Sequence, residues 1–213
     1  MKEYHKIQTV FKRDPETKFK TLLMSEYSTP EFEYLANNEW VWTEKVDGTN
    51  IRVMWDGEGV TFGGKTDNAQ IPAHLVTVLY DEFTPTKMLE QFGTEGGVCL
   101  YGEGYGMKIQ KPGARYISDN SSFILFDCRV GTWWLDRVGL EDVAVNIGID
   151  IVPIIGMGSL HDAVRFCKDG YRSTISEDAT LDAEGLVLKP LMELTTRSGG
   201  RIISKIKHKD FQT

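Results

Sequence analysis

The sequence predicts an α+β domain that is built mainly on antiparallel sheets flanked by helices. Two observations support this fold class. Short β-rich runs follow one another with turn residues between them, and helical patterns separate these groups of strands without regular alternation. The chain has 213 residues, of which 41% are apolar, which is enough to bury one good core. We therefore expect a single domain over residues 1–213.

The first predicted elements surround an Asp-Gly pair at residues 47–48. Thr29 is a candidate N-cap and Pro30 a candidate first helical residue, which predicts a short helix in STPEFEYLANN. The runs WVWTEKV and NIRVMW on either side of the pair are β-rich, and a second Asp-Gly turn at residues 56–57 leads into GVTFGG. This pattern predicts a meander of three strands.

Later elements are predicted by changes of period along the chain. A helical stripe is formed by Leu75, Val76, Leu79 and Phe83, and PTKMLEQFG predicts a second helix that ends at Gly93. Strands follow in GVCLYGE and SFILFDCRV. Another helical stripe is formed by Leu160, Ala163, Val164 and Cys167. The runs EGLVLKP and RIISKIK are strand candidates, and in RIISKIK the period of two places Lys205 and Lys207 on one face.

Several classes of protein are disfavoured by composition. No run approaches 18 apolar residues, and the N-terminal residues are polar and charged, unlike a signal peptide. We expect a soluble, cytoplasmic protein. The three cysteines lie tens of residues apart, match no metal-ligand spacing and fit reduced thiols that pack in a core.

The charge of the chain is unevenly distributed. The formal net charge of −7 argues against a protein coated in nucleic acid. Residues 197–213 nevertheless carry five basic side chains against one acidic side chain, that of Asp210. This basic tail is either a solvated surface or a binding surface.

Lys45 stands between Glu44 and the tight Asp-Gly turn, at the end of a predicted buried strand. A protonated lysine is a weak nucleophile, and burial or neighbouring cations favour the neutral amine by lowering its pKa. Such an amine can attack phosphorus, and the P–N bond that forms stores a nucleotide in activated form. The K-x-D-G pattern alone is weak, so a surface lysine before a turn remains the alternative.

The order of further motifs resembles that of the covalent nucleotidyltransferase superfamily of DNA ligases, RNA ligases and mRNA capping enzymes. After EKVDGTN come a strand ending in YGE at 101–103, FILFD at 123–127, EGLVLK at 184–189 and KIK at 205–207. The form K-x-D-G-T-N, with Glu44 before it and tryptophans leading into it, is most similar to the bacteriophage RNA ligases that seal duplex RNA. The resemblance covers Trp40 to Lys207.

This resemblance implies a role for each matching residue. Lys45 would take AMP from ATP as a lysyl phosphoramidate while pyrophosphate leaves. Glu103 matches the family's ribose-binding glutamate. Phe126 is the candidate for stacking on adenine, with Phe123 in reserve. Glu184 matches a carboxylate that helps to hold a divalent cation, and oxygen ligands without a His or Cys cluster suit Mg²⁺ or Mn²⁺.

The resemblance also assigns the residues around the phosphates. Glu44 and Asn50 fall where RNA ligases contact the nucleotide and coordinate the reaction centre. Lys205 and Lys207 match the pair that grips the α-phosphate and assists the departure of pyrophosphate. The same two lysines would repel a third ammonium group and so favour the neutral amine at Lys45.

The sequence departs from the family pattern at two places. Lys65 stands where the family has an arginine, so the positive charge is kept but the bidentate fork is lost. The chain ends six residues after Lys207, so we expect no C-terminal OB-fold domain and no helical domain. RNA would then be bound by the basic tail and by Lys65, Lys108, Lys111 and Arg115.

These observations predict an ATP-dependent polynucleotide ligase that acts on RNA, or on DNA, at strand ends or nicks. An accessory protein is a possible further partner. The alternatives are a DNA ligase, a guanylyltransferase, or a module that binds nucleotide or RNA without turnover. Phe126 in an apolar strand could be core, and the role of Lys189 stays open.

Overall fold

The structure is a computed structural model that describes residues 3–212. Its strands are β1 (Gln8–Thr9), β2 (Phe11–Arg13), β3 (Leu22–Tyr27), β4 (Trp40–Lys45), β5 (Thr49–Trp55), β6 (Val60–Gly63), β7 (Val98–Gly106), β8 (Ser121–Val130), β9 (Trp133–Trp134), β10 (Asp150–Ile151), β11 (Ile154–Gly158), β12 (Gly185–Pro190) and β13 (Ser204–Lys207). Its helices are α1 (Pro30–Tyr34), α2 (Ala73–Glu82), α3 (Pro85–Phe92), α4 (Gly113–Tyr116), α5 (Arg137–Ile147) and α6 (Leu160–Asp169), and a 3₁₀ turn spans His208–Phe211.

The described residues form two compact units. Unit 1 comprises the described residues up to His5, then Asp47–Val152 and Ser176–Asp178. Unit 2 comprises Lys6–Val46, Pro153–Ile175 and the described residues from Ala179 onward. That the chain forms a single domain therefore stays a prediction.

Unit 1 is a sheet with helices packed on one face. The strand order is β10-β8-β7-β5-β6, with β9 paired to β8, and only the β10–β8 pair among them is parallel. Alternate residues of β5, β7 and β8 point into a core with α2, α3 and α5. The predicted stripe of α2 is confirmed, since Leu75, Leu79 and Phe83 are buried, and α3 ends at Gly93 as predicted.

Unit 2 contains a second sheet and a separate hairpin. The sheet order is β1-β13-β12-β4-β11, in which only the β1–β13 pair is parallel, and β2 and β3 form the hairpin. The α1 prediction is confirmed, because the Thr29 hydroxyl accepts a hydrogen bond from the Phe32 N–H. The apolar stripe of α6 is confirmed as well, and Ser159 and Asp162 form a capping box at its start.

The predicted three-stranded meander is wrong in its first strand. β5 and β6 do form a hairpin, but β4 pairs with β12 and β11 in the other sheet. The reason is core packing. Trp40 and Trp42 of β4 are buried in the core of unit 2, whereas Ile51 and Val53 of β5 are buried in the core of unit 1.

Two compositional predictions can be compared with the structure. All three cysteines are buried free thiols, and Cys128 and Cys167 lie in the two apolar cores, as the sequence indicates. Among the helices of residues 3–212, none has the length and apolar character needed to cross a bilayer.

Candidate functional site

Three charged side chains meet at the end of the unit 2 sheet. Lys45 at the end of β4 and Lys207 at the end of β13 are both register partners of Gly185, the first residue of β12. The carboxylate of Glu184, which directly precedes β12, accepts a hydrogen bond from Lys45 Nζ, and its other oxygen lies 2.5 Å from Lys207 Nζ. One carboxylate therefore bridges two lysines that lie two strands apart.

Gly185 allows this close arrangement because it has no side chain. A Cβ at this position would lie 2.1 Å from the carbonyl oxygen of Ile206 and 2.7 Å from the Cα of Lys207. The Tyr171 hydroxyl donates to the Gly185 carbonyl at 2.7 Å and fixes the backbone there. The space between Lys45 and Lys207 is therefore free of a side chain from the intervening strand.

The electrostatics of this cluster depend on Glu184. Burial by itself would raise the pKa of Glu184, but the charges of Lys45 and Lys207 outweigh burial and hold this pKa below its ordinary value. The carboxylate is therefore ionised at neutral pH. That Lys205 and Lys207 favour a neutral amine at Lys45 stays a prediction. The structure places the carboxylate of Glu184 directly against this amine.

The predicted pairing of Lys205 with Lys207 on one face of β13 is confirmed. Ser204 and Ile206 are fully buried, whereas the two lysines that alternate with them are partly exposed. Lys205 is a register partner of Val187 in β12, so it lies one side-chain row away from Lys207 on the same face of the sheet.

Glu44 lies on the opposite face of β4 from Lys45 and is almost fully buried. Its carboxylate accepts hydrogen bonds from the Ser173 hydroxyl at 2.5 Å, the Thr174 N–H at 2.9 Å and the Thr174 hydroxyl at 2.8 Å. The Glu44 side chain thus binds the 173–174 segment of its own unit. Sequence reasoning missed both partners, since no motif points to a serine and a threonine about 130 positions away in the sequence.

Unit 1 brings together two other predicted residues. Asn50 of β5 and Glu103 of β7 are register partners, so their side chains lie side by side on the face of the sheet opposite the helices. The Asn50 Oδ1 is buried and accepts no hydrogen bond within the described part of the chain. The close approach of Gly48 to β7 supports this geometry, since a Cβ there would lie 2.2 Å from the Gly104 carbonyl oxygen.

Phe126 occupies a β-bulge in β8. Tyr101 pairs with Asp127 and Gly102 with Leu125, which leaves Phe126 as the extra residue. A bulge redirects a side chain and is common beside functional sites. Phe126 is half-buried, and the Tyr4 ring contacts it edge-on at a centroid distance of 5.1 Å.

The alternative aromatic, Phe123, is a core residue. It is fully buried, and its ring meets that of Phe83 at 5.1 Å. Its ring also fills the space above Gly102, where a Cβ would lie 2.1 Å from it. Phe123 therefore has no accessible ring face, and the structure removes the reserve candidate for stacking.

Lys65 lies exposed in the loop after β6, and a buried arginine holds this loop in place. Arg52 is 1% exposed, and its guanidinium donates to the Gly64 carbonyl at 2.9 Å and to the Asp67 carboxylate at 2.7 Å. Sequence reasoning missed Arg52, although a charged residue within the apolar strand NIRVMW is an available signal. Lys65 thus projects from a fixed loop.

The other candidate phosphate contacts of unit 1 differ in their surroundings. Lys108 and Lys111 are exposed in the loop after β7, whereas Arg115 is ion-paired with Asp178 at 2.7 Å. An arginine already bound to a carboxylate is a weaker candidate for phosphate. Within the basic tail, Arg201 is likewise paired with Glu193.

The oxygen ligands of this site suit a hard cation that is bound mainly by the phosphate oxygens of a substrate. No group of three or more His, Cys, Asp or Glu side chains among residues 3–212 could hold a metal by itself. Glu184 supplies an ionised carboxylate, and Mg²⁺ is commonly bound through one or two carboxylates together with phosphate oxygens and water. The residues present therefore fit such an ion.

Comparison with solved structures gives the same fold. A variant of the Naegleria gruberi RNA ligase with ATP and manganese matches with a TM-score of 0.63 and 20% identity over 85% of this chain and 54% of that chain. A variant with AMP and manganese matches with a TM-score of 0.67 and 16% identity, over 97% of this chain and 56% of that chain. The enzyme with pyrophosphate matches with a TM-score of 0.66 and 18% identity, again over 97% of this chain and 56% of that chain.

This chain spans a little over half the length of those solved chains. At such identities the likeness establishes the nucleotidyltransferase-type α+β fold, as the sequence predicts. Membership is decided by the sequence match, in which the model of the RNA ligase family covers residues 38–207. This range includes the predicted motifs from Lys45 to Lys207. The chain belongs to the RNA ligase family.

Proposed function

We propose that this protein is an ATP-dependent RNA ligase that works through a covalent AMP adduct on Lys45. The observation that carries the proposal is the placement of Lys45, Glu184 and Lys207 in contact at the ends of three adjacent strands. Similarity to RNA ligase structures that contain ATP or AMP with manganese supports the choice of nucleotide and cation.

In the first step, Lys45 Nζ attacks the α-phosphorus of ATP. The N–P bond forms as the bond to the bridging oxygen breaks, and pyrophosphate leaves with the electron pair of that bond. The amine must first give up its proton to solvent, because only the neutral amine has an electron pair with which to attack phosphorus.

The two lysines of β13 also neutralise phosphate charge. Phosphoryl transfer needs positioning and electrostatic stabilisation more than covalent help from the protein. Lys45 and Lys207 flank Gly185, and the space above this glycine is the proposed position of the α-phosphate. Lys205 stands in the next row and is proposed to assist the departure of pyrophosphate.

Residues of unit 1 are proposed to bind the nucleoside. Glu103 would accept hydrogen bonds from the ribose, and the neighbouring Asn50 has a buried amide oxygen available for a donor. Phe126, directed by its bulge, would stack on adenine. Lys65 would contact a phosphate. Glu44 would act indirectly, by fixing the end of β4 on which Lys45 stands.

A divalent cation, Mg²⁺ or Mn²⁺, is proposed to be held by Glu184, through water, together with the phosphates of ATP. When bound, such an ion neutralises charge on the phosphate oxygens.

The later steps act on nucleic acid. AMP passes from Lys45 to a 5′-phosphate, which gives an adenylated end and restores the lysine. A 3′-hydroxyl then attacks this end, the new phosphodiester forms, and AMP is released. RNA strand ends or nicks are the proposed substrates, with DNA as a weaker alternative, and an accessory protein could supply part of the substrate recognition.

The proposal is tested by mass spectrometry of the intact protein after incubation with ATP and Mg²⁺ or Mn²⁺. We expect a gain of one AMP that is absent from Lys45→Ala. Lys168→Ala is the matched control, because Lys168 is exposed on α6 of the same unit and should keep the adduct. GTP tested in parallel separates a ligase from a guanylyltransferase.

Two outcomes would overturn the proposal. An adduct that persists in Lys45→Ala would mean that another residue is the nucleophile. A folded protein that binds ATP but never gains AMP would favour the non-catalytic binding module. A panel of nicked and single-stranded RNA and DNA, each with a pre-adenylated counterpart, then identifies the substrate and the step.

A further inference from the structure

An exposed aromatic ring lies at the tip of the β2–β3 hairpin in unit 2. The ring of Phe19 is 61% exposed and stands between Lys18 and Lys20, whose side chains are exposed as well. Within residues 3–212, neither lysine forms an ion pair and the Phe19 ring has no aromatic neighbour. The hairpin tip therefore presents an exposed aromatic ring between two exposed cations that form no ion pair within residues 3–212.

The backbone at the tip is held in an unfavourable conformation. Lys18 and Phe19 are consecutive residues with positive φ, 56° and 62°, in the left-handed region that bulky side chains rarely adopt. Such a conformation persists only where the surrounding structure enforces it, and it is frequent at functional sites. The tip is therefore a defined shape.

Hydrogen bonds account for that shape. The Phe19 N–H donates to the Asp14 carbonyl at 2.9 Å, and the Lys18 N–H donates to the Pro15 carbonyl at 3.0 Å. The Arg13 guanidinium donates to the Phe19 carbonyl at 3.4 Å. These contacts fix the backbone on both sides of the exposed ring.

The base of the hairpin is anchored in turn. Arg13 also donates to both carboxylate oxygens of Asp210, at 2.8 and 2.9 Å, and the Asp210 side chain is only 3% exposed. This ion pair, in which one guanidinium nitrogen of Arg13 contacts both carboxylate oxygens, connects the hairpin to the 3₁₀ turn that directly follows Lys207. Phe19 is thus presented from a pre-organised element.

We propose that the tip of this hairpin, residues 18–20, is a binding site for single-stranded RNA, in which a nucleobase stacks on Phe19 while Lys18 and Lys20 contact the flanking phosphates. Aromatic rings interleaved with cations are the chemistry by which proteins bind unpaired strands without sequence preference. The choice of RNA over another single strand rests on the proposed function, whereas the stacking geometry does not.

The test is the affinity of the full chain for a short single-stranded RNA, measured by fluorescence anisotropy. Phe19→Ala and Phe19→Leu should both weaken binding roughly tenfold or more, because leucine keeps the apolar bulk but lacks the π-face. Phe19→Trp should retain binding. Tyr34→Ala is the matched control, since Tyr34 is 86% exposed in the same unit but stands beside Glu33.

Salt dependence and base stacking give independent readouts. Lys18→Ala and Lys20→Ala should each reduce the slope of log affinity against log salt by about 0.7. A 2-aminopurine in the RNA should change its fluorescence on binding to the wild type but not to Phe19→Ala. A fully paired duplex should be insensitive to Phe19→Ala, because its base faces are already stacked.

Several results would overturn the inference: wild-type affinity in Phe19→Ala, equal losses in Tyr34→Ala, or equal losses on duplex RNA. AMP adduct formation, measured on the same variants, should not change and controls for folding. If the wild type forms no adduct yet binds RNA through Phe19, the proposed function fails and the hairpin site stands. If adducts form while Phe19→Ala binds RNA normally, the hairpin site alone fails.

Discussion

The carboxylate of Glu184 contacts the amine of Lys45, the residue proposed to carry AMP. The same carboxylate contacts Lys207, so a single acidic side chain is shared by the proposed nucleophile and a proposed phosphate ligand. Lys45 and Glu184 are also partly buried, with 20% and 12% of their side chains exposed. Removing this one charge should therefore change the reactivity of the amine.

Glu184→Gln tests this relationship. Glutamine preserves the size of the side chain but not its charge, so the site loses the carboxylate that is proposed to hold the divalent cation. We expect AMP adduct formation to slow by roughly tenfold or more, because less charge on the phosphate oxygens is neutralised. The measurement is the rate of adduct formation with ATP and Mg²⁺. Glu193→Gln, which removes an ion pair elsewhere in unit 2, should keep the wild-type rate, and a wild-type rate in Glu184→Gln would contradict the expectation.

The buried carboxylate of Glu44 gives a prediction about stability. In the double variant Ser173→Ala, Thr174→Val, it would keep only the Thr174 N–H of its three donors. Leaving hydrogen-bond acceptors of a buried carboxylate unsatisfied should lower the free energy of unfolding by about 2–4 kcal/mol, measured by urea denaturation. Ser25→Ala on the exposed face of β3 is the control and should be neutral. A loss below about 0.5 kcal/mol in the double variant would show that water satisfies Glu44 equally well.

Phe126→Ala tests the proposed adenine contact. If the ring stacks on the base, the ATP concentration that gives half the maximal adduct rate should rise about tenfold, while Phe126→Trp should stay near the wild type. Phe123→Leu is the informative control, because it alters the unit 1 core without touching the bulge. Phe123→Leu should lower the melting temperature but leave the ATP concentration for half the maximal adduct rate unchanged. If this concentration instead rises in Phe123→Leu and stays unchanged in Phe126→Ala, Phe123 is the stacking residue.

Glu82 at the end of α2 predicts a pH dependence of stability. Burial raises the pKa of Glu82 to about 7, and the charge of Asp150 adds to this effect against the opposing effect of Lys87. The folded protein therefore holds a proton that the unfolded chain, with its ordinary pKa of 4.5, releases. Stability should fall as the pH rises from about 4.5 to about 7.

Glu82→Gln removes this titration. The variant should be more stable than the wild type at pH 8 by on the order of 2 kcal/mol and nearly equal to it near pH 4.5, measured by urea denaturation at both pH values. Glu90→Gln, an exposed substitution on α3, should show no such difference. A Glu82→Gln variant whose advantage is the same at both pH values would argue that packing is responsible and not ionisation.

Local signals were sufficient for most elements of this fold. Thr29 with Pro30 and the Gly93 end of α3 are capping signals, and capping depends on only a few neighbouring residues. The α5 helix was not predicted, although Leu140, Val143, Ala144 and Ile147 repeat at helical spacing between a capping Asp136 and Gly148. The apolar repeat and both capping residues are local signals, so this helix is predictable from the sequence alone.

The sequence by itself determined the family, the order of its motifs and the face of β13 that carries Lys205 and Lys207, because strand periodicity and short motifs are local properties. Only the tertiary structure decided that β4 leaves the predicted meander to pair with β12, that Glu184 bridges Lys45 and Lys207, and that Glu44 binds Ser173 and Thr174. The contacts made by β4, including those of Glu44 and Lys45, join residues about 130 to 150 positions apart in the sequence. Such pairs are selected by the packing of whole sheets, a long-range property that no local pattern encodes.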